Sequence, residues 1–83
     1  MEDKNDVKKG KYAFSKVTGE YYDTSNIVRL VNVSQIAAYV ANNAKLLDVY
    51  ASSDRKTGKP IIVGVFNRDE TADLYDKWCR YEL

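Results

Sequence analysis

Three cations, Arg55, Lys56 and Lys59, crowd into the stretch SSDRKTGKP. Guanidinium and ammonium groups this close together can contact successive phosphates, and with the ring of Tyr50 just upstream they could enter a nucleic-acid groove. The competing reading is a soluble turn that keeps its strands from aggregating, which a formal net charge of +1 favours. Tyrosine is the second conspicuous group, with seven among 83 residues. Its ring covers apolar area while its hydroxyl stays wet, so Tyr12, Tyr21, Tyr22 and Tyr50 are candidates for a partner-binding surface. The carboxylates Asp69, Glu70, Asp73 and Asp76 could hold magnesium or mimic phosphates. They fit the positive end of a helix better, and a phosphate mimic would need more negative charge than this chain carries. Thr57-Gly58-Lys59 resembles the end of a phosphate-binding loop, but the upstream glycine is missing and a strand follows where a helix should.

The chain has no histidine. That removes the residue most used for proton transfer near neutral pH, for catalytic triads and for zinc. Cys79 is the only cysteine; it has no evident base to activate it, forms no internal disulfide, and reads as a small semi-buried filler. No catalytic residue, metal site or cofactor is therefore expected, and the chain is not read as an enzyme.

Those residues must be positioned by a single small domain, because 83 residues leave no room for a second core. Hydrophobic content of 45% with 30% charged residues is ordinary for a globular chain. No apolar run approaches the ~20 residues needed to span a bilayer, and MEDKNDVKKG is too polar for a signal peptide. A cytoplasmic location is expected. Residues 1–11 read as a mobile amino-terminal arm and 12–83 as the folded domain.

Within 12–83, KYAFSKVTGEYYD suits a hairpin, with Gly19 supplying a positive φ between aromatic-rich strands. Ile27–Val31 is a β-branched strand. Asn32 or Ser34 can cap a helix, Gln35 falling at its third position if Asn32 does, and Val33, Ile36, Ala37, Val40 and Ala41 mark its apolar face. Asn42 and Asn43 end it. LLDVYAS alternates Leu47, Val49 and Ala51 with Leu46, Asp48 and Tyr50. IIVGVF, nearly all apolar, is the central strand. Asn67 and Glu70 repeat the capping-box spacing before a last helix whose packing face is Thr71, Leu74, Tyr75, Trp78 and Tyr81 or Glu82. No internal repeat or low-complexity tract is evident. The expected architecture is α+β: a small two-layer sandwich in the order β-α-β-β-α, with both helices on one face of a mostly antiparallel sheet of three to five strands, preceded by an amino-terminal hairpin that extends it.

From Asn26 to Leu83, about two-thirds of the chain, the SQIAAYVANNAKLLDVYAS passage, the PIIVGVF strand and the closing helix with YDKW resemble a family of small phage- and prophage-encoded domains. That family has no assigned chemistry, so the resemblance carries over no functional residue. It implies an accessory protein that meets a host or phage protein in a bacterial cytoplasm, inhibition of a defence system such as CRISPR being one form. The alternative is a nucleic-acid-binding regulator working through the 55–59 loop. Exposed sheet edges make a homodimer, by strand pairing or face packing, a further expectation.

Overall fold

The β-branched run ending in Phe66 forms the central strand of a three-stranded antiparallel sheet, as its composition predicts. The computed structural model of the chain describes residues 11–83. The expected arm, apart from Lys11, thus lies outside the described residues. The elements in chain order are β1 (Tyr12–Phe14), β2 (Tyr21–Asp23), a 3-10 turn (Thr24–Asn26), β3 (Ile27–Leu30), α1 (Val33–Ala41), β4 (Asp48–Ser53), β5 (Pro60–Asn67) and α2 (Ala72–Cys79). The main sheet has the order β3-β5-β4, with Val28 opposite Phe66 and Tyr50 opposite Val63.

Alternation along β5 divides the core in two. Val63 and Val65 point to one face, where they pack with Ile27, Leu47 and the ring of Tyr22. Gly64 and Phe66 point to the other, under the helices; there Phe66 packs with Tyr39, Leu74 and Trp78. The β1–β2 hairpin does not extend the sheet, contrary to expectation. It pairs only with itself and lies across the face opposite the helices. Tyr22 explains this placement, because its ring fills the space over Val65 while its hydroxyl finds a buried acceptor in Asp48.

α1 begins as predicted: the Asn32 side chain accepts from the Gln35 amide at 3.1 Å. Asn43 takes the left-handed conformation that ends it, with φ of 70°. Its buried face differs from the one the valine spacing predicts. Gln35, Ile36 and Tyr39 face inward, while Val33 and Val40 are exposed. Burying the Tyr39 ring against Phe66, edge to face with centroids 5.4 Å apart, covers more area than the valines offer, and Gln35 satisfies the phenol by donating from Nε2 at 3.0 Å. Gly64 permits the close approach: a Cβ there would lie 3.1 Å from the Ile36 side chain.

α2 starts later than the Asn67–Glu70 spacing predicts. Asn67 does accept from the Glu70 amide at 3.0 Å, but it caps a turn that precedes the helix, and the buried Thr71 sits at the helix start. The Glu70 side chain accepts from the Lys45 amide instead, tying the turn to the connection ahead of β4. Leu74 and the half-buried Trp78 pack inward as expected, whereas Tyr75 is 55% exposed, Cys79 is exposed, and Tyr81 and Glu82, which lie beyond the helix end at Cys79, are exposed too. With eight residues, α2 turns only its Leu74–Trp78 stripe to the sheet, so their neighbours Tyr75 and Cys79 fall outside it.

Candidate functional site

In a two-stranded ribbon successive side chains point to opposite faces, so YAF and YYD must each split their aromatics between core and solvent. Ala13 and Tyr22, which are register partners, point toward the sheet. Tyr12, Phe14 and Tyr21 point away from it and are 51%, 50% and 72% exposed. Phe14 and Tyr21 face each other across the strands, edge to face with centroids 5.1 Å apart. The outer face of the hairpin is therefore a small aromatic platform. Asp23, opposite Tyr12, forms part of its polar border. The Ser25 hydroxyl and amide bond its carboxylate and hold its pKa below the usual carboxylate value.

Of the predicted partner-binding residues, Tyr12 and Tyr21 lie on this platform and Tyr22 does not. The Tyr22 hydroxyl donates to Asp48 Oδ2 at 2.8 Å, on the inner side. Burial of the phenol, and then its hydrogen bond to the carboxylate, push the Tyr22 pKa up to about 12. Asp48, only 6% exposed, also accepts from the Ser15 hydroxyl at 3.1 Å and the Val49 amide at 2.8 Å. One carboxylate thus fastens the hairpin to the sheet at two points. Tyr50 lies on the same sheet face, two residues further along β4 and close enough to Tyr22 to raise its pKa; it is more exposed.

This junction predicts a late-titrating phenol. Its folded pKa lies above the ordinary value of 10, so the folded state favours the protonated ring. The stabilisation is fully present below pH ~10 and is lost as pH rises toward ~12. In tyrosinate absorbance titrations, the phenol missing from Tyr22→Phe should be one with a midpoint near 12. A missing phenol with an ordinary midpoint would contradict the buried bond.

Arg55, Lys56 and Lys59 occupy the β4–β5 loop, all exposed. About five strand residues, or ~16 Å of extended chain, separate them from Tyr50, so tyrosine and cations form no single site. The loop is closed by its own side chains. Asp54 Oδ1 accepts from the Lys56 and Thr57 amides at 2.8 and 3.1 Å, and Thr57 Oγ1 accepts from the Lys59 amide at 3.2 Å. The amides that could cradle a phosphate are thus already bonded, and the Thr57 and Lys56 amides hold the Asp54 carboxyl below its usual pKa.

The β1–β2 loop repeats this arrangement bond for bond. Ser15 Oγ accepts from the Val17 and Thr18 amides, and Thr18 Oγ1 accepts from the Glu20 amide. Gly19 and Gly58 donate to the carbonyls of Ser15 and Asp54 and take φ of 75° and 72°. A short repeat is therefore present after all: SKVTGE and DRKTGK share a capping side chain, then Thr-Gly, at identical spacing.

Among the described residues no group of three or more acidic or cysteine side chains could hold a metal, and no helix is long and apolar enough to cross a membrane. An open groove, lined by Arg29 and Asp76 among others, runs between the outer edge of β3 and α2; along it Arg68 donates to the Ile27 carbonyl at 3.0 Å and the Thr71 hydroxyl to the Asn67 carbonyl at 2.9 Å. No protein-family model matches the chain, and no curated protein or solved structure matches it either. Sequence reading passed over Phe14 and Asp48. Phe14 was legible as the residue two after Tyr12, on the same side of a strand; Asp48 carried no local signal, because the hydroxyls that make its burial tolerable come from more than twenty residues away.

Proposed function

We propose that this chain acts by binding another protein through the outer face of the β1–β2 hairpin. The observation that carries this reading is the platform of Tyr12, Phe14 and Tyr21, each at least half exposed although a small domain gains by burying such rings. Rigid aromatic side chains bordered by polar groups are the composition of interface hot spots. The resemblance of residues 26–83 to phage- and prophage-encoded domains supports a bacterial host protein as the partner, and blockade of a host defence complex, anti-CRISPR activity included, as the outcome. The nucleic-acid reading of Arg55, Lys56 and Lys59 is weaker, because the loop amides are already bonded and Asp54 offsets part of the charge.

The test uses the chain as bait in lysate of a bacterial host, at low and high salt, beside Tyr12→Ser/Phe14→Ser/Tyr21→Ser and Arg55→Ala/Lys56→Ala/Lys59→Ala. A single captured protein that persists at high salt, survives the basic-loop variant and is lost with the aromatic variant supports the platform. Binding that collapses with salt and with the basic-loop variant, while the aromatic variant still binds, overturns it in favour of nucleic acid. The three rings lie outside both core clusters, so their replacement should leave circular dichroism unchanged.

A further inference from the structure

The two edges of the main sheet are treated differently by the sequence. At β3, the Arg68 guanidinium bonds the outward Ile27 carbonyl, and α2 stands alongside. That edge is guarded. At β4, the ladder direction follows from two hydrogen bonds: Arg68 N–H to the Asn26 carbonyl fixes which β5 residues face β3, and Asp54 N–H to the Lys59 carbonyl fixes which β4 residues face β5. Asp48, Tyr50 and Ser52 bond inward to β5, which leaves the backbone of Val49, Ala51 and Ser53 pointing outward. Val49 N–H is taken by Asp48, while the outward backbone groups of Ala51 and Ser53 have no partner strand among the described residues. Val49–Ser53 contains no charge and no proline, so it lacks the usual protections of an edge strand.

We infer that the β4 edge pairs antiparallel with β4 of a second copy of this chain, on a two-fold axis through Ala51. That register sets Ala51 against the second copy's Ala51, Tyr50 against its Ser52, and Val49 against its Ser53. Each larger side chain meets a small one, and no like charges oppose each other within the paired stretch. The ladder stops beyond Ser53, where Asp54 turns back to cap its own loop.

One feature favours a copy of this chain over an unrelated strand. Ala51 is in register with the exposed Ile62 on the helix side of the sheet, beside Val31, Val33 and Pro60, so the axis joins two exposed apolar patches into one row: Ile62, Ala51, then the second copy's Ala51 and Ile62. The pairing is independent of the aromatic platform. The axis runs perpendicular to the sheet, so both platforms would face the same way and a partner could be gripped twice.

The test is light scattering on the full chain across a concentration series, with disulfide trapping in a Cys79→Ser background. The wild type should move from monomer to dimer mass, and Ala51→Pro should stay monomeric with unchanged circular dichroism, because the lost N–H is not used by β5. If Ala51→Pro does not fold, Ala51→Lys sets two ammonium groups face to face and serves the same purpose. Ala51→Cys should cross-link to itself roughly tenfold faster than Ser53→Cys. The first sulfur pair straddles the axis at ~5.5 Å between Cα atoms, and the second is displaced by four residues, beyond bridging distance. A wild type that stays monomeric at every concentration overturns the inference. So does a dimer that survives the Ala51 variants or traps equally well at Ser53.

Discussion

Phe66→Ala is expected to abolish the cooperative thermal transition or to lower its midpoint by ~15–30 °C. Phe66 is fully buried and lies at the meeting point of both helices and the central strand, packing on Tyr39, Leu74 and Trp78. Truncating a buried phenylalanine to alanine costs ~3–5 kcal/mol, out of a total stability of ~4–12 kcal/mol for a domain this size. No disulfide is available to make up the loss, because Cys79 has no partner cysteine. Calorimetry together with Trp78 fluorescence would measure the effect, since that ring packs in the same cluster. Phe66→Leu, which keeps most of the volume, should cost under ~1.5 kcal/mol. A midpoint for Phe66→Ala within a few degrees of wild type would mean that the core lies elsewhere.

The second large effect is expected at Asp48. Its carboxylate receives the Ser15 and Tyr22 hydroxyls, and hydrogen bonds to a charged group contribute ~1.5–3 kcal/mol each without being strictly additive. Asp48→Ala should therefore cost about 3 kcal/mol. The loss should be uneven. An isolated two-stranded ribbon is marginal in water, so release of its anchor should free the hairpin before the main sheet fails. Hydrogen exchange would then show amides of residues 12–23 losing protection while those of β5 keep theirs. Uniform loss over both sheets, or no loss at all, would contradict the role given to this carboxylate.

Much of the architecture was legible because local signals and tertiary packing agree. The β-branched run around Val63–Val65 is the central strand, Asn32 caps α1, and Asn43 ends it in the left-handed conformation. The readings that failed did so where a distant side chain decides the outcome. The valine stripe of α1 lost to Tyr39, which is buried because Phe66 waits on β5 and Gln35 can bond its phenol. The capping spacing at Asn67 and Glu70 is real, but it closes a turn that Glu70 fastens to Lys45, so the helix starts later. The hairpin was expected to widen the sheet and instead crosses its face, a choice made by one phenol and one carboxylate brought together from separate parts of the chain. For the candidate site, the outward aromatics needed only period-two counting, while the choice between Tyr21 and Tyr22 required knowing where the sheet lies.

The order of β5's neighbours has a kinetic consequence. β4 reaches it across one short, self-capped loop, whereas β3 must return from the far side of α1. Closing the short loop costs less chain entropy and takes microseconds, so the β4–β5 ribbon should form early and β3 should dock late. Until then both flanks of the newborn ribbon stand unpaired. The chain is most prone to aggregate in that interval, and a nascent polypeptide would pass through it with its most apolar strand uncovered.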